Sequence, residues 1–281
     1  MFSTGIFTVS QYNIKVDNLD LPIYLLPFGD VHRDSPLCDI DKWHEFLQWA
    51  KKKERAYFLG MGDYNDSVSG TERLILNNEA LHEATKQSII NTFEASNQQF
   101  IKEIDFMKDR LIGFIEGNHY GWYADNMTTT QKMANELSAK YLGVSCFIRL
   151  MFTFKKETAY LDIWAHHGKG AARLVGGSLN RVQQMAEAAE ADIYLMGHDH
   201  KKSSGTASKL RLLTNKDTVE LHHRKQLYLR TGSFLKGYEH GQASYIADSA
   251  MNPTDIGVVK VELTPRRNKE GIFYVDIHAS I

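Results

Sequence analysis

Five short segments of this 281-residue chain follow one rule: an apolar run stops at a glycine or another small residue, and Asp, Asn or His follows at once. They are Gly29-Asp30-Val31-His32, Gly62-Asp63-Tyr64-Asn65-Asp66, Gly117-Asn118-His119, Ala165-His166-His167-Gly168 and Gly197-His198-Asp199-His200. A short continuous apolar run closed by glycine reads as a buried strand. In open α/β sheets the loops at the carboxyl ends of strands converge on one rim, where ligands sit. Singly, each segment is an ordinary turn, because a lone histidine is more often a hydrogen-bonded surface or core residue. Together they require a fold that brings five strand ends to one place, since an unpartnered polar group beside a buried sheet edge costs free energy.

Between these segments, strand and helix signals alternate up to about residue 200. Leu21 to Phe28, Ala56 to Met61, Leu111 to Ile115 and Ile193 to Met196 have strand length. Asp39 to Lys53 carries Ile40, Trp43, Phe46, Leu47 and Ala50 at helical spacing. Its closing Lys51, Lys52 and Lys53 complement the helix dipole rather than form a binding patch. Thr71 to Asp109 is the longest helical segment, with room for a break into two helices, and reads as cover for the sheet rather than a partner surface. Thr128 to Tyr141 and Leu179 to Ala189 read as further helices. Val144 to Ala165 reads as two strands joined by a polar turn around Lys155 to Glu157. Beyond about residue 205 the pattern becomes mostly short strands. No repeat, linker or composition break appears, so a single domain over residues 1–281 is expected.

Composition narrows the class. With 43% hydrophobic and 24% charged residues the chain can bury a substantial core, which excludes intrinsic disorder. The 33 basic and 34 acidic side chains leave a formal net charge of -1, so no global field attracts phosphate polymers. Cys38 and Cys146 stand far apart in no paired motif, which argues against a disulfide framework and a thiolate metal site. The N-terminus lacks the basic start, apolar run and cleavage site of a secretion signal. The most apolar runs, Leu21 to Phe28 and Tyr141 to Phe154, are shorter than the ~20 residues of a spanning helix. A soluble, cytoplasmic protein without membrane contact is expected.

Carboxylate and imidazole groups without thiolate suit Mn²⁺, Fe or Zn²⁺. Residues two apart on an extended segment project the same way, so Asp30 with His32, and His198 with His200, can each present two ligands to one rim. Two-metal sites hold their ions about 3.5 to 4 Å apart, a spacing that a bridging Asp63 can serve. Two divalent ions with Asp30, Asp63 and one hydroxide leave about one positive charge in surplus, suited to an anionic phosphate ester.

The five blocks, in this order, resemble the calcineurin-like metallophosphoesterases, whose pattern is Asp-x-His, Gly-Asp-x-x-Asp, Gly-Asn-His, a histidine near glycine, and Gly-His-x-His. They span residues 29 to 200, and Thr231-Gly232-Ser233 looks like the Gly-Ser strand end found after the last block. The resemblance implies an α/β (α+β) fold, a four-layer αββα sandwich with a central β-sandwich flanked by helices. It implies two divalent cations, Mn²⁺, Fe²⁺/Fe³⁺ or Zn²⁺. Asp30, His32, Asp63 and His200 would hold one, and Asp63, Asn118, His198 and a histidine of the His166-His167 pair the other. Within that pair His-x-Gly selects His166 and His-Gly selects His167; His166 is preferred by a narrow margin and both stay candidates. His119, next to Asn118, is expected to act as general acid, and Asp66 to orient it and hold its charge, a turn or helix N-cap being the alternative role for Asp66. The implied activity is hydrolysis of a phosphate ester, a phosphodiester or nucleotide-like small molecule in preference, by a metal-activated hydroxide.

Two departures narrow this further. Ser67-Val68 stand where the protein phosphatases of that family have Arg-Gly, and Tyr120 follows Gly-Asn-His where they have an acid, so protein phosphatase activity is not expected. A DNA nuclease of the same family is the first alternative. It calls for a basic, aromatic-lined groove and a capping region, whereas the chain offers scattered pairs such as Arg224-Lys225 and Arg266-Arg267. Nucleic acid is therefore the less favoured partner. The second alternative is an inactive scaffold of the same fold, which would be expected to carry substituted ligands; every block here is intact. His44, His82, His222, His223, His240 and His278 fit no block and read as structural, with His240 alone placed to line a pocket. The oligomeric state is not legible.

Overall fold

A computed structural model describes residues 7–69, 71–73, 82–123, 125–215 and 218–281. Two sheets form its centre. The first runs β1 (Thr8–Lys15), β5 (Ser145–Phe154), β6 (Glu157–His166), β7 (Ile193–Met196), β9 (Thr218–Ser233) and β10 (Gly257–Val258), with β8 (Lys202–Asn215) paired to β9. The second runs β12 (Phe273–Ser280), β11 (Lys260–Arg267), β2 (Ile23–Phe28), β3 (Ala56–Gly60) and β4 (Leu111–Phe114). The helices are α1 (Ile40–Lys51), α2 (Glu83–Ile104), α3 (Thr129–Glu136), α4 (Val175–Ala188) and α5 (Tyr245–Asp248).

The strands that precede the five segments are continuously apolar because both faces of each sheet are covered. Leu25, Leu59, Ile163, Ala165, Ile193 and Leu195 point into the core between the sheets, joined by Ile14 from β1 and Ile277 from β12. Their neighbours point outward. Leu26, Phe28 and Phe58 meet Trp43 of α1 and Phe100 and Ile104 of α2, and Trp164 and Tyr194 meet Val182 and Met185 of α4. Each such large apolar side chain contributes about 1.5–3 kcal/mol on burial. The result is the four-layer αββα arrangement, helices outside and two sheets within.

Several elements differ from the sequence reading. β1 was not anticipated: its residues alternate exposed and buried along a strand that pairs in parallel with β5. Of the segment Thr71 to Asp109, residues 74–81 lie outside the described residues; α2 begins at Glu83 and passes into a 3₁₀ turn over Asp105–Arg110. α3 is shorter than Thr128 to Tyr141 because Ser138 turns left-handed, with φ 53°, and the chain then runs beside β4 through the Phe114–Tyr141 bridge. α4 starts at Val175, ahead of Leu179. Past residue 205 the chain forms long strands rather than short ones, with β8 of 14 and β9 of 16 residues. Their pairing continues well beyond the edge of β7, as far as Asn215 and Thr218. The β5–β6 hairpin forms where the polar turn was expected, with Lys155 at φ 54°.

β2, β3 and β4 run parallel in one sheet, and β6, β7 and β9 run parallel in the other. Six carboxyl ends therefore feed loops, and the loops of the two sheets meet: the His198 N–H, past β7, donates to Asp30 Oδ2, past β2, at 2.8 Å.

Candidate metal centre

The loops after β2, β3 and β4 pack backbone against backbone. Asp30 N donates to Gly62 O at 2.9 Å, and Val31 N and His32 N both donate to Asp63 O, at 2.9 and 3.1 Å. Such contact needs missing side chains. A Cβ on Gly117 would overlap the Asp63 carboxylate, and Gly62, at φ 99°, lies where a Cβ would come within 2.5 Å of His167 Nδ1. Below Asp30, Ser233 Oγ donates to Asp30 O at 2.8 Å and Phe234 N to the same oxygen at 3.0 Å.

The expected convergence by extended geometry is not how the side chains meet. Asp30, His32, Asp63, His198 and His200 all adopt left-handed backbone conformations, with φ of 48, 47, 50, 73 and 58°. They are five of the ten non-glycine residues with positive φ among the described residues. For non-glycine residues this region costs of order 1–3 kcal/mol each and gathers at functional sites. A sharp turn at each strand end swings successive donors to the same side.

Each carboxylate spends one oxygen on the backbone and keeps the other for the centre. Asp63 Oδ1 accepts the His119 N–H at 2.8 Å, while Asp63 Oδ2 lies 3.2 Å from His167 Nε2 and 4.0 Å from His32 Nε2. Asp30 Oδ2 accepts the His198 N–H, while Asp30 Oδ1 lies 3.8 Å from His200 Nε2. Asp30, His32 and His200 offer ligand atoms within 4.8 Å of one another, as do Asp63, His167 and His198. Asn118 Oδ1 joins the second group, 2.9 Å from His167 Nε2 and 2.6 Å from His198 Nδ1. Asp30 Oδ1 and His32 Nε2 are buried and lack any hydrogen-bond partner, an expensive state for polar atoms. A cation among the donor groups would satisfy both atoms, so the residues present fit divalent metal.

The outer nitrogens set which ring atom faces inward. His32 Nδ1 lies 2.9 Å from Asp66 Oδ1 and His167 Nδ1 2.8 Å from Met61 O, so these nitrogens carry protons and Nε2 is the atom that each ring turns toward the centre. Asp66 Oδ1 also lies 2.9 Å from His119 Nδ1, at ion-pair distance without hydrogen-bond alignment. One carboxylate oxygen thus serves both His32 and His119. The His119 side chain is 25% exposed, whereas those of His32 and Asp63 are 3% and 2% exposed.

The electrostatics follow from burial. Desolvation, opposed by His167 and reinforced by Asp63, pushes the Asp30 carboxyl up to about 7. Burial pushes Asp63 the same way, but the charge and hydrogen bond of His167 and the charge of His32 outweigh it and hold this carboxyl below its usual range. Burial lowers His167, yet Asp63 and Asp30 raise it to about 9. Burial and the His167 charge push His198 down to about 4, and burial with the charge of His32 lowers His200.

His166 is not part of the cluster, which corrects its preference over His167. The two histidines follow opposite faces of β6: His167 continues the parity of Ile163 and Ala165 toward the space between the sheets, and His166 that of Trp164 toward α4. His166 Nδ1 instead accepts the Gly168 N–H at 2.7 Å. Asp66 is a loop residue and caps no helix. His240 is exposed and does not line the cavity beside His198.

Two arginines escaped the sequence reading. Arg73 Nη1 donates to Val68 O, Asn118 O and Tyr120 O at 2.8, 2.7 and 3.0 Å, and its guanidinium stacks 3.8 Å from the Tyr120 ring centroid, bracing the Asn118 loop. Arg230, fully buried, donates to Gly197 O at 2.8 Å and Ser178 O at 3.0 Å and lies 3.5 Å from Asp199 Oδ2, beneath the His198–His200 loop. Neither carries a local signal, because each ties down backbone carbonyls from other loops, Asn118 O and Tyr120 O for Arg73 and Ser178 O and Gly197 O for Arg230.

No family model matches the chain, and no curated protein matches it in sequence. Among solved structures, Vps29 from Chaetomium thermophilum is 11% identical, over 92% of this chain and 95% of that chain, with a TM-score of 0.37. A conserved uncharacterized protein from Streptococcus pneumoniae TIGR4, described as a predicted phosphoesterase, is 13% identical, over 92% of this chain and 99% of that chain, with a TM-score of 0.33. At such distances the chemistry is read from the side chains themselves, a buried cluster of Asp, His and Asn donors able to bind metal at the shared rim of two sheets.

Proposed function

We propose that this protein is a dinuclear-metal-dependent phosphoesterase that hydrolyses a phosphate ester, a phosphodiester of nucleotide-like or other small-molecule type in preference. The observation that supports it most is the pair of buried, unpartnered atoms Asp30 Oδ1 and His32 Nε2 aimed at the donors of Asp63 and His200. Asp30, His32, Asp63 and His200 would hold one ion, and Asp63, Asn118, His167 and His198 the other. Mn²⁺, Fe²⁺/Fe³⁺ or Zn²⁺ held there would supply charge neutralisation of the phosphate and a nucleophile from water at neutral pH. His119 gives its ring proton to the oxygen of the departing alcohol as that P–O bond breaks and water's oxygen bonds to phosphorus. Asp66 orients His119 and steadies its charge. Asn118 provides a neutral donor, which preserves the surplus positive charge for the anionic substrate. No serine or cysteine nucleophile is required; Cys38 and Cys146 are buried free thiols pushed up to about 12 by desolvation.

A single domain and a cytoplasmic setting belong to the same proposal. One core cluster joins residues from Ile14 to Ile277, and among the described residues no helix is long and apolar enough to cross a membrane. The test is metal-free protein reconstituted separately with Mn²⁺, Zn²⁺ and Fe²⁺ and assayed on chromogenic mono- and diesters and on single-stranded DNA. Diester turnover without DNA cleavage is expected. DNA cleavage would select the nuclease, and no turnover with any metal would overturn the proposal in favour of an inactive scaffold.

A further inference from the structure

A cavity of about 100 Å³ opens beside His198 and His200. Its walls include Leu37, Ala171, Leu235, Ile246 and Met251. Part of the polar lining is spent elsewhere. Ser244 Oγ donates to Gly237 O and accepts from Ala247 N, and Lys236 Nζ pairs with Glu239 at 2.8 Å. Thr254 Oγ1, buried and without a partner, is left for a hydrogen bond, and Lys201 and Asn252 stand in the same lining. The cavity thus suits an apolar group attached to something held by the histidines at its mouth.

Its place relative to His119 decides which group that is. Along the second sheet the order is β2, β3, β4, so the loops bearing Asp30, Asp63 and His119 stand in a row. The cavity lies at the Asp30 end, where Leu235 bridges to Cys38, Lys236 N donates to Leu37 O and Phe234 N donates to Asp30 O. His119, past β4, reaches back until its ring centroid is 4.9 Å from that of His32, yet neither it nor Asp66 lines the cavity. A leaving alcohol must sit against His119 to receive its proton. A monoester has no other organic group, so it would leave the cavity empty.

We propose, on the basis of the phosphoesterase reading, that the substrate is a phosphodiester and that this cavity receives the ester group that stays on phosphorus, a compact apolar substituent no larger than one six-membered ring. The size limit follows from volume: an engineered closed apolar cavity of about 150 Å³ holds one benzene, so the roughly 100 Å³ here takes a single ring only with one edge left at the open mouth.

The test varies only the retained group. Phenyl p-nitrophenyl phosphate, methyl p-nitrophenyl phosphate and p-nitrophenyl phosphate share a leaving group, and each rate on the Mn²⁺-loaded protein is divided by its uncatalysed rate. The phenyl diester is expected to exceed the methyl diester at least tenfold in kcat/KM, and both to exceed the monoester. Ala171→Leu, which narrows the cavity, should lower the phenyl-to-methyl ratio. Ile246→Ala, which widens it, should shift preference toward a 1-naphthyl diester; a merely structural role would change all esters in parallel. Titration calorimetry with diphenyl and dimethyl phosphate reads the same cavity without turnover, with diphenyl phosphate expected to bind at least tenfold more tightly. Equal rates and equal binding for phenyl and methyl esters, or a monoester faster than both diesters, overturn the cavity assignment while leaving the phosphoesterase reading intact. Absence of turnover of every ester with every metal overturns the phosphoesterase reading, and the cavity assignment with it.

Discussion

Replacing Asp30 by Asn isolates what a buried carboxylate costs the metal-free fold. Asp30 is fully buried, and burial lifts its carboxyl from 3.8 to about 7. An acid whose folded pKa is raised destabilises the fold above that pKa, and the penalty disappears below the unfolded value. At pH 8 the rise corresponds to roughly 4 kcal/mol. Asn keeps the acceptor for the His198 N–H and tolerates the left-handed backbone at φ 48°. Part of the gain is returned, because the Asp30 charge helps to sustain the proton on His167. The net expectation is that Asp30→Asn is about 1–3 kcal/mol more stable than the wild type in chelator at pH 8, or about 2–5 °C in Tm for a chain of this length. The advantage shrinks as pH falls below 7 and vanishes near 3.8. Manganese should invert the order. An ion at 100 times its Kd stabilises the wild type by about 2.7 kcal/mol, and the variant, with one donor charge gone, gains less. Thermal melts in EDTA and in Mn²⁺ at pH 8 and pH 5 measure both effects. A variant less stable than wild type in EDTA at pH 8, or one that manganese stabilises just as much, would refute this account of Asp30.

His119→Asn should lower kcat about 10²- to 10⁴-fold while manganese stoichiometry, read by calorimetry, stays at two; loss of an ion would show His119 to be a ligand instead. His167→Ala should remove one ion, whereas His166→Ala should keep both, and equal losses would contradict the opposite orientations of the two rings. Next along the chain from His32, Arg33 donates from Nε and Nη2 to Glu103 at 3.0 and 2.8 Å, and Trp43 Nε1 donates to the same carboxylate at 2.7 Å. Burial raises the Glu103 carboxyl, but these bonds outweigh burial and hold it below 4.5. Its contribution is therefore present above pH 4.5 and lost as pH falls through the lower folded value. Glu103→Gln should cost about 1–3 kcal/mol at neutral pH and progressively less in acid denaturation below pH 4.5; a pH-independent difference would mean that packing, not charge, matters there.

Much of the architecture was legible because strand ends carry two signals at once. The apolar run of β7 and the Gly-His-x-His after it each point to the same boundary, and the two-sided burial of Tyr194 and Leu195 explains why the run does not alternate. That same two-sidedness hid the choice between His166 and His167, since apolar residues on both faces of β6 conceal which parity faces the partner sheet. β1 was missed because Gln11 and Asn13 interrupt its apolar pattern, although parallel pairing with β5 holds it in place. The distal pairing of β8 with β9 rests on cross-strand contact rather than a buried face, with Leu210 and Leu221 still 59% and 57% exposed, so periodicity had little to register. Arg73 and Arg230 act on carbonyls separated from them by up to 52 residues, a kind of support that no local motif announces.

The left-handed turns at Asp30, His32, Asp63, His198 and His200 have a practical corollary for anyone engineering this chain. A thermostability screen that ignores ions would reward removal of the buried Asp30 charge, and glycine there would also relax the backbone. The winner would be a sturdier sandwich with a blank rim. Holding these positions fixed is thus the first rule for making the molecule tougher without emptying it of purpose.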